Sequence, residues 1–160
     1  MPEQFEPKIE KEPRFKKEVW IVDDNERLAE ALISLWQDFE LDYIFNHFPT
    51  AKNLFEEIEK RSKQIENKAN KKIADIIFMD GHLEKDKDEL SDGAQVIKKI
   101  REIKEIEQPI IVAFSSDFDK NVEMLLAGAN LSLDKMKSQE IKEFLKQPKE
   151  FLEKLKEESK

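Results

Sequence analysis

Cysteine is absent from the chain, so disulfide bridges, thiolate nucleophiles and Cys-ligated zinc are excluded. Histidine occurs only at His47 and His82, too few for a multi-histidine metal centre. A metal here must be held by oxygen, which favours Mg²⁺, Mn²⁺ or Ca²⁺. Glycine is limited to Gly81, Gly93 and Gly128. No G-x-G-x-x-G loop can be drawn from these, which argues against a dinucleotide-binding domain. No apolar run approaches the ~20 residues that span a bilayer. The opening MPEQFEPKIEKEPRFKKE has no apolar signal core, and the expected location is the cytoplasm. A net charge of -8 leaves no overall positive field to displace counterions from nucleic-acid phosphates. Neither nucleic acid nor membrane is an expected partner.

What is present suits one small domain. The 160 residues are 39% hydrophobic and 40% charged, enough for a single core under a heavily solvated surface. Residues 1–17 mix Pro, Lys and Glu with scattered apolar positions and read as a flexible leader. Residues 18–146 read as the folded domain, and 147–160 as a helical or flexible tail carrying Phe151, Leu152 and Leu155 beyond Pro148.

Within the domain, short apolar runs alternate with helical spacing. Val19–Val22 reads as a strand buried on both faces. Asn25 then caps a helix whose stripe is Leu28, Ala31, Leu32, Leu35, Trp36 and Phe39. Trp36 and Phe39 are expected to pack in the core. Tyr43–Phe48 is a second strand, and Thr50 caps a helix with Ala51, Leu54, Phe55 and Ile58. The polar continuation from about Arg61 to Lys71 is a helix end or a loop. Ile73–Met79 is a third strand. The charged stretch Glu84–Asp92 lacks the glycine and ligand spacing of an EF-hand and reads as a solvated loop. A third helix begins at Gly93, with Val96, Ile97, Ile100 and Ile103 on its buried face. Ile110–Phe114 is a fourth strand, followed by a short helix containing Val122, Leu125 and Leu126 that ends at Gly128. Leu131–Leu133 is a fifth strand, and Ile141, Phe144 and Leu145 mark the last helix. Five rounds of strand then helix predict an α/β fold: a five-stranded parallel sheet, doubly wound as (βα)5.

Ligands of such sheets sit at the carboxyl ends of the strands. The first strand ends in Asp23-Asp24 and the third in Asp80. Three converging carboxylates repel one another, and a divalent cation such as Mg²⁺ removes that penalty. The fourth strand ends in Ser115-Ser116, and Lys135 follows the fifth. A carboxylate can act as a nucleophile toward phosphorus. A metal and a lysine can neutralise the phosphoryl oxygens, and a hydroxyl can donate to one of them. The product of that chemistry is an aspartyl phosphate.

From about Glu18 to Lys146 the chain resembles the receiver domains of two-component response regulators. The resemblance is carried by IVDDN (Ile21–Asn25), IIFMDGHL around Asp80, SDGAQVIKKIR (Ser91–Arg101), PIIVAFSSD (Pro109–Asp117) and GANLSLDK (Gly128–Lys135), in order and at strand ends. It implies the flavodoxin-like receiver fold, with Asp80 as the phosphoacceptor. It implies Mg²⁺, with Mn²⁺ as a substitute, held directly by Asp24, mainly through water by Asp23, and by Asp80 and the backbone carbonyl of His82. Ser115 becomes the switch hydroxyl and Lys135 the phosphate-binding lysine. The implied partners are a histidine kinase or phosphotransfer protein and a downstream protein target. A homodimer through the fourth helix, fifth strand and fifth helix also fits. The expected role is a stand-alone single-domain regulator in a phosphorelay, not a turnover enzyme.

The sequence departs from the family at several points. Met136 follows the lysine where proline is usual. Ser132 stands where an inward-turning Tyr or Phe is common, and Ser116 replaces Ala or Gly. The loop after Asp80 is about five residues longer than usual. A phosphorylation-independent interaction module of the same fold is therefore the rival reading. A phosphatase that uses an aspartate nucleophile needs a second acid two residues later, where this chain has His82.

Overall fold

The computed structural model describes residues 17–37, 43–64, 71–83, 92–147, 150 and 153. Residues 1–16 of the expected leader, Phe39, residues 65–70 after the second helix, the loop at 84–91 and nearly all of the tail lie outside the described residues. So do the side chains of Leu35, Trp36 and Leu145. Lys17, expected to end the leader, instead begins the first strand.

In chain order the elements are β1 (Lys17–Val22), α1 (Glu26–Gln37), β2 (Tyr43–Phe48), α2 (Ala51–Gln64), β3 (Lys71–Lys72), β4 (Ile76–Met79), α3 (Gly93–Arg101), β5 (Ile106–Glu107), β6 (Ile110–Phe114), α4 (Phe118–Ala127), β7 (Leu131–Leu133) and α5 (Ser138–Lys146). Five strands form one sheet in the order β2-β1-β4-β6-β7, and every pairing is parallel. The order reverses between β1 and β4, so the ends of these strands border the crevice where open α/β sheets hold ligands.

Burial follows the pleat. Trp20, Val22, Ile77, Met79, Ile111 and Ala113 face one layer, with Leu54, Ile58, Val96, Ile97, Ile100 and Met124 from α2, α3 and α4. Val19, Ile21, Ile76, Phe78, Val112 and Phe114 face the other, with Ala29, Leu32, Ile141 and Phe144 from α1 and α5. Each fully buried large side chain contributes about 1.5–3 kcal/mol. In the second layer Phe78 sits edge-on to Phe114 and Phe144, at centroid separations of 5.1 and 5.9 Å.

The helix starts are capped as the sequence suggests. The Leu28 N–H donates to Asn25 Oδ1 at 3.1 Å, and the Asn53 N–H donates to Thr50 Oγ1 at 3.1 Å. Gly128 closes α4 at φ 123°, a backbone angle that costs glycine nothing.

Two expectations are corrected, and one element is new. The third sheet strand begins at Ile76, not Ile73. Asp75 breaks the run: its Oδ2 accepts from the Glu18 N–H at 2.7 Å, and its Oδ1 pairs with Lys72 at 2.7 Å. Ile103 lies past the end of α3, because the helix stops at Arg101 and Glu102 serves as its C-cap. Ile103 nonetheless packs against the first core layer. Finally, Lys71–Lys72 and Ile106–Glu107 pair as a second, two-stranded parallel sheet that the sequence does not announce.

The amino ends of the strands carry a polar tie rather than a site. Glu18 accepts from Arg61 Nη1 and Nη2, each at 2.6 Å, from Asn46 Nδ2 at 2.6 Å and from Trp20 Nε1 at 2.8 Å. Arg61 also donates to the Ile73 carbonyl at 2.8 Å. This pins the far half of α2 to β1, which a surface ion pair alone would not do.

Candidate functional site

Strand geometry brings the acids together. The Asp80 N–H donates to the Val22 carbonyl at 2.9 Å and the Asp23 N–H to the Phe48 carbonyl at 3.1 Å. Both residues therefore leave the sheet as continuations of its ladder. Carboxylate oxygens of Asp23, Asp24 and Asp80 lie within 4.8 Å of one another. Asp23 is 1% exposed and Asp80 7%, so their repulsion is poorly screened. Lys135 answers part of it: its Nζ is 2.8 Å from Asp23 Oδ2 and donates to Asp80 Oδ1 at 3.0 Å.

Two of the three carboxylates thus share one ammonium. Asp23 Oδ2 is buried and faces the Lys135 ammonium at 2.8 Å. Carboxylate oxygens gathered this closely are the kind of donor set a hard divalent cation takes. The residues present thus fit a divalent metal ion held by oxygen.

The charge balance appears in the titration of the pair. Burial, with the Asp23 charge added, pushes the Asp80 carboxyl above its ordinary value, against the pull of Lys135 and of the His82 backbone N–H. Burial lowers the Lys135 ammonium, but the Asp23 and Asp80 carboxylates outweigh it and hold the group above its ordinary value. Lys135 stays protonated across the neutral range, and its ion pair is lost only as pH rises through that elevated value.

Ser115 is buried at the end of β6. Its Oγ accepts from the Asp117 N–H at 3.0 Å. Asp117 in turn caps α4, accepting from the Asp119 and Lys120 N–H groups. Ser116 and Met136 are exposed, and Ser132 is half-buried. The His82 ring is exposed, while its backbone forms a bridge to Asp92.

Two supporting residues were not foreseen. His47 Nε2 lies 2.6 Å from the Asp23 carbonyl oxygen. A carbonyl only accepts, so Nε2 carries the proton. The buried amide of Asn121 is bonded at both ends to Ser115. The alternation of β2 puts His47 next to the last strand residue, and Asn121 sits three residues before buried Met124. Those positions were the available signals.

Gly93 fixes the floor of the site. Its N–H donates to the Gly81 carbonyl at 3.0 Å, and a Cβ there would lie 2.1 Å from the Asp80 carbonyl oxygen and 2.9 Å from Met124 Sδ. The oxygen is backbone and cannot swing aside. Gly93→Ala is expected to destabilise the protein by about 1–3 kcal/mol or more. Urea unfolding, compared with an Ile97→Val control, checks this. An unchanged unfolding midpoint would show that the strand end tolerates displacement.

No known family's sequence profile matches the chain, and no curated protein does. Solved structures do match. The chain is similar to the chemotaxis response regulator CheY4 of Vibrio cholerae, with 17% identity and a TM-score of 0.58 over 76% of this chain and 88% of that one. It is similar to a two-component response regulator from Clostridium difficile, with 19% identity and a TM-score of 0.58 over 79% and 88%. A response regulator from Burkholderia pseudomallei, solved with a phosphorylated aspartic acid, a calcium ion and citrate, matches at 17% identity and a TM-score of 0.59 over 90% and 73%. At such identities the likeness establishes the fold, which is the five-stranded, doubly wound fold of response-regulator receiver domains. Among the described residues no helix is long and apolar enough to cross a membrane.

Proposed function

We propose that this receiver fold works as a phosphoacceptor, taking a phosphoryl group onto Asp80 from the phosphohistidine of a partner kinase or phosphotransfer protein. The observation that carries this reading is the group of Asp23, Asp24 and Asp80, the first and last of them buried, with Lys135 paired to those two. A structural ion pair needs one acid. Here two acids share one lysine, with a third carboxylate within 4.8 Å of them.

In the proposed transfer a carboxylate oxygen of Asp80 attacks phosphorus. The O–P bond forms as the P–N bond to the donor imidazole breaks, and the bonding pair returns to that nitrogen. Lys135 moves its pairing from Asp80 to a phosphoryl oxygen. The Ser115 hydroxyl donates to another, which it can do because its contact with Asp117 uses Oγ only as an acceptor. Asp23, Asp24, Asp80 and the His82 carbonyl would hold Mg²⁺, which supplies charge neutralisation to the phosphoryl oxygens. The phosphoryl group ends bonded to Asp80, so the domain is changed by the reaction rather than turning over substrate.

Output then depends on a changed surface. Phe118, Val122, Leu125 and Leu126 are all exposed on α4. This face suits a downstream protein partner. The rival reading, an interaction module that needs no phosphoryl group, draws on Ser132, which offers no aromatic ring to couple the site to that surface.

Incubation with Mg²⁺ and acetyl phosphate distinguishes the two. Intact mass should rise by about 80 Da, one phosphoryl group in place of a proton. An unchanged mass at saturating donor would favour the phosphorylation-independent module.

A further inference from the structure

We infer that Asn121 is a positioning residue that fixes Ser115 at the acceptor site and ties α4 to it. This rests on the phosphoacceptor reading of Asp80. Asn121 is 8% exposed, on the inward face of α4 with Met124. Its Oδ1 accepts from the Ser115 N–H at 3.0 Å, and its Nδ2 donates to the Ser115 carbonyl at 2.9 Å. Both ends of one amide therefore close on one residue.

The arrangement is costly unless it holds something. Asparagine is a weaker helix former than Leu or Met, and a buried amide is tolerated only when its hydrogen bonds are met. Leucine would serve the core better at this position. What asparagine adds is a rigid link between a helix and the peptide of a site residue. Ser115 is thereby held twice: by its backbone from Asn121, and by Oγ from the Asp117 N–H. A serine hydroxyl has one donor and two acceptor sites, and this geometry leaves its hydrogen available for a phosphoryl oxygen.

The same link runs outward. A movement of Ser115 toward the phosphoryl group pulls Asn121, and with it the helix that exposes Phe118, Val122, Leu125 and Leu126. Ser132 on β7 is too small to carry the signal by filling or vacating space. The amide clip provides a bonded route in its place, a two-ended element that one site can bias.

The test compares the parent, Asn121→Ala and Asn121→Asp. Acetyl phosphate labelling is read by intact mass, and hydrogen exchange of α4 amides is read with Mg²⁺ alone and with Mg²⁺ plus beryllium fluoride as a stable phosphoryl mimic. All three are expected to take the label, with Asn121→Ala slower. The mimic should change α4 exchange in the parent, change it less in Asn121→Asp, which keeps an acceptor for the Ser115 N–H, and not change it in Asn121→Ala. A full parental response in Asn121→Ala overturns the inference. If that variant does not fold, a full parental response in Asn121→Asp does so. A labelled parent whose α4 exchange is unmoved by the mimic overturns the inference alone, while an unlabelled parent overturns the phosphoacceptor reading and this inference with it.

Discussion

Asp80→Asn is expected to take up no phosphoryl group and yet to melt higher than the parent when both are free of divalent metal. The first half follows from chemistry, since a carboxamide keeps the shape of a carboxylate but lacks its nucleophilic oxygen. The second follows from electrostatics. Burial and the Asp23 charge push the Asp80 carboxyl above its ordinary value even with Lys135 beside it. An acid raised in this way favours folding while it is protonated. That contribution is complete below the unfolded carboxylate range and is lost as pH rises through the folded value. At neutral pH the ionised Asp80 is therefore a net cost, and the sign already includes the attraction of Lys135. Asparagine removes the cost, and each 1 kcal/mol gained moves the melting temperature by about 2–4 °C in a chain of this size. The advantage should shrink below the ordinary carboxylate range and reverse when millimolar Mg²⁺ stabilises the parent alone. Intact mass and thermal melts at several pH values check both halves. Undiminished labelling of Asp80→Asn would move the acceptor to another carboxylate. A lower metal-free melting temperature would mean that Asp80 contributes more as a partner for Lys135 than it costs as a buried charge.

The fold was legible because a parallel sheet buried on both faces writes its strands as apolar runs. β2, β6 and β7 match their expected bounds, and β1 extends its run by two residues toward the N-terminus. The acids were legible because a strand that ends in Asp announces the edge where ligands sit. The short second sheet was not, since Lys71–Lys72 and Ile106–Glu107 have no period over two residues and are paired only because β4 and β6 bring their approaches together. The fourth helix shows a different limit. Phe118, Val122, Leu125 and Leu126 have the spacing of a buried stripe, but they are exposed, and the buried pair is Asn121 and Met124. Helical spacing identifies a face without saying whether the protein itself covers it. The polar residue on the other face reads as a break in pattern until Ser115 is seen in its grip.

Removing the lysine should have the largest effect on stability. In metal-free Lys135→Ala, Asp23 and Asp80 lose their shared cation while Asp23 remains almost wholly buried, at 1% exposed. Breaking a buried pair by deleting one partner costs about 3–5 kcal/mol, because the remaining charge is left uncompensated. The loss should be greatest at neutral and higher pH. It should diminish as pH falls, since Asp80, already raised, can then take a proton and relieve the repulsion. Mg²⁺ acts in the opposite direction. In the parent, Lys135 occupies the field that a metal would use, so a bound cation must compete with its positive charge. In the variant that competitor is gone. Ligand binding to the native state stabilises by RT ln(1 + [L]/Kd), so tighter binding gives a larger shift at the same concentration. Mg²⁺ is therefore expected to raise the melting temperature of Lys135→Ala more than that of the parent, and to do little once Asp24→Ala is added. The variant should still label poorly, because no ammonium remains to meet the phosphoryl oxygens. Thermal melts with and without Mg²⁺ for the parent, Lys135→Ala and the double variant measure each step. Equal Mg²⁺ shifts in the parent and Lys135→Ala would show that the lysine and the metal do not share one field, and that Mg²⁺ does not bind among these acids.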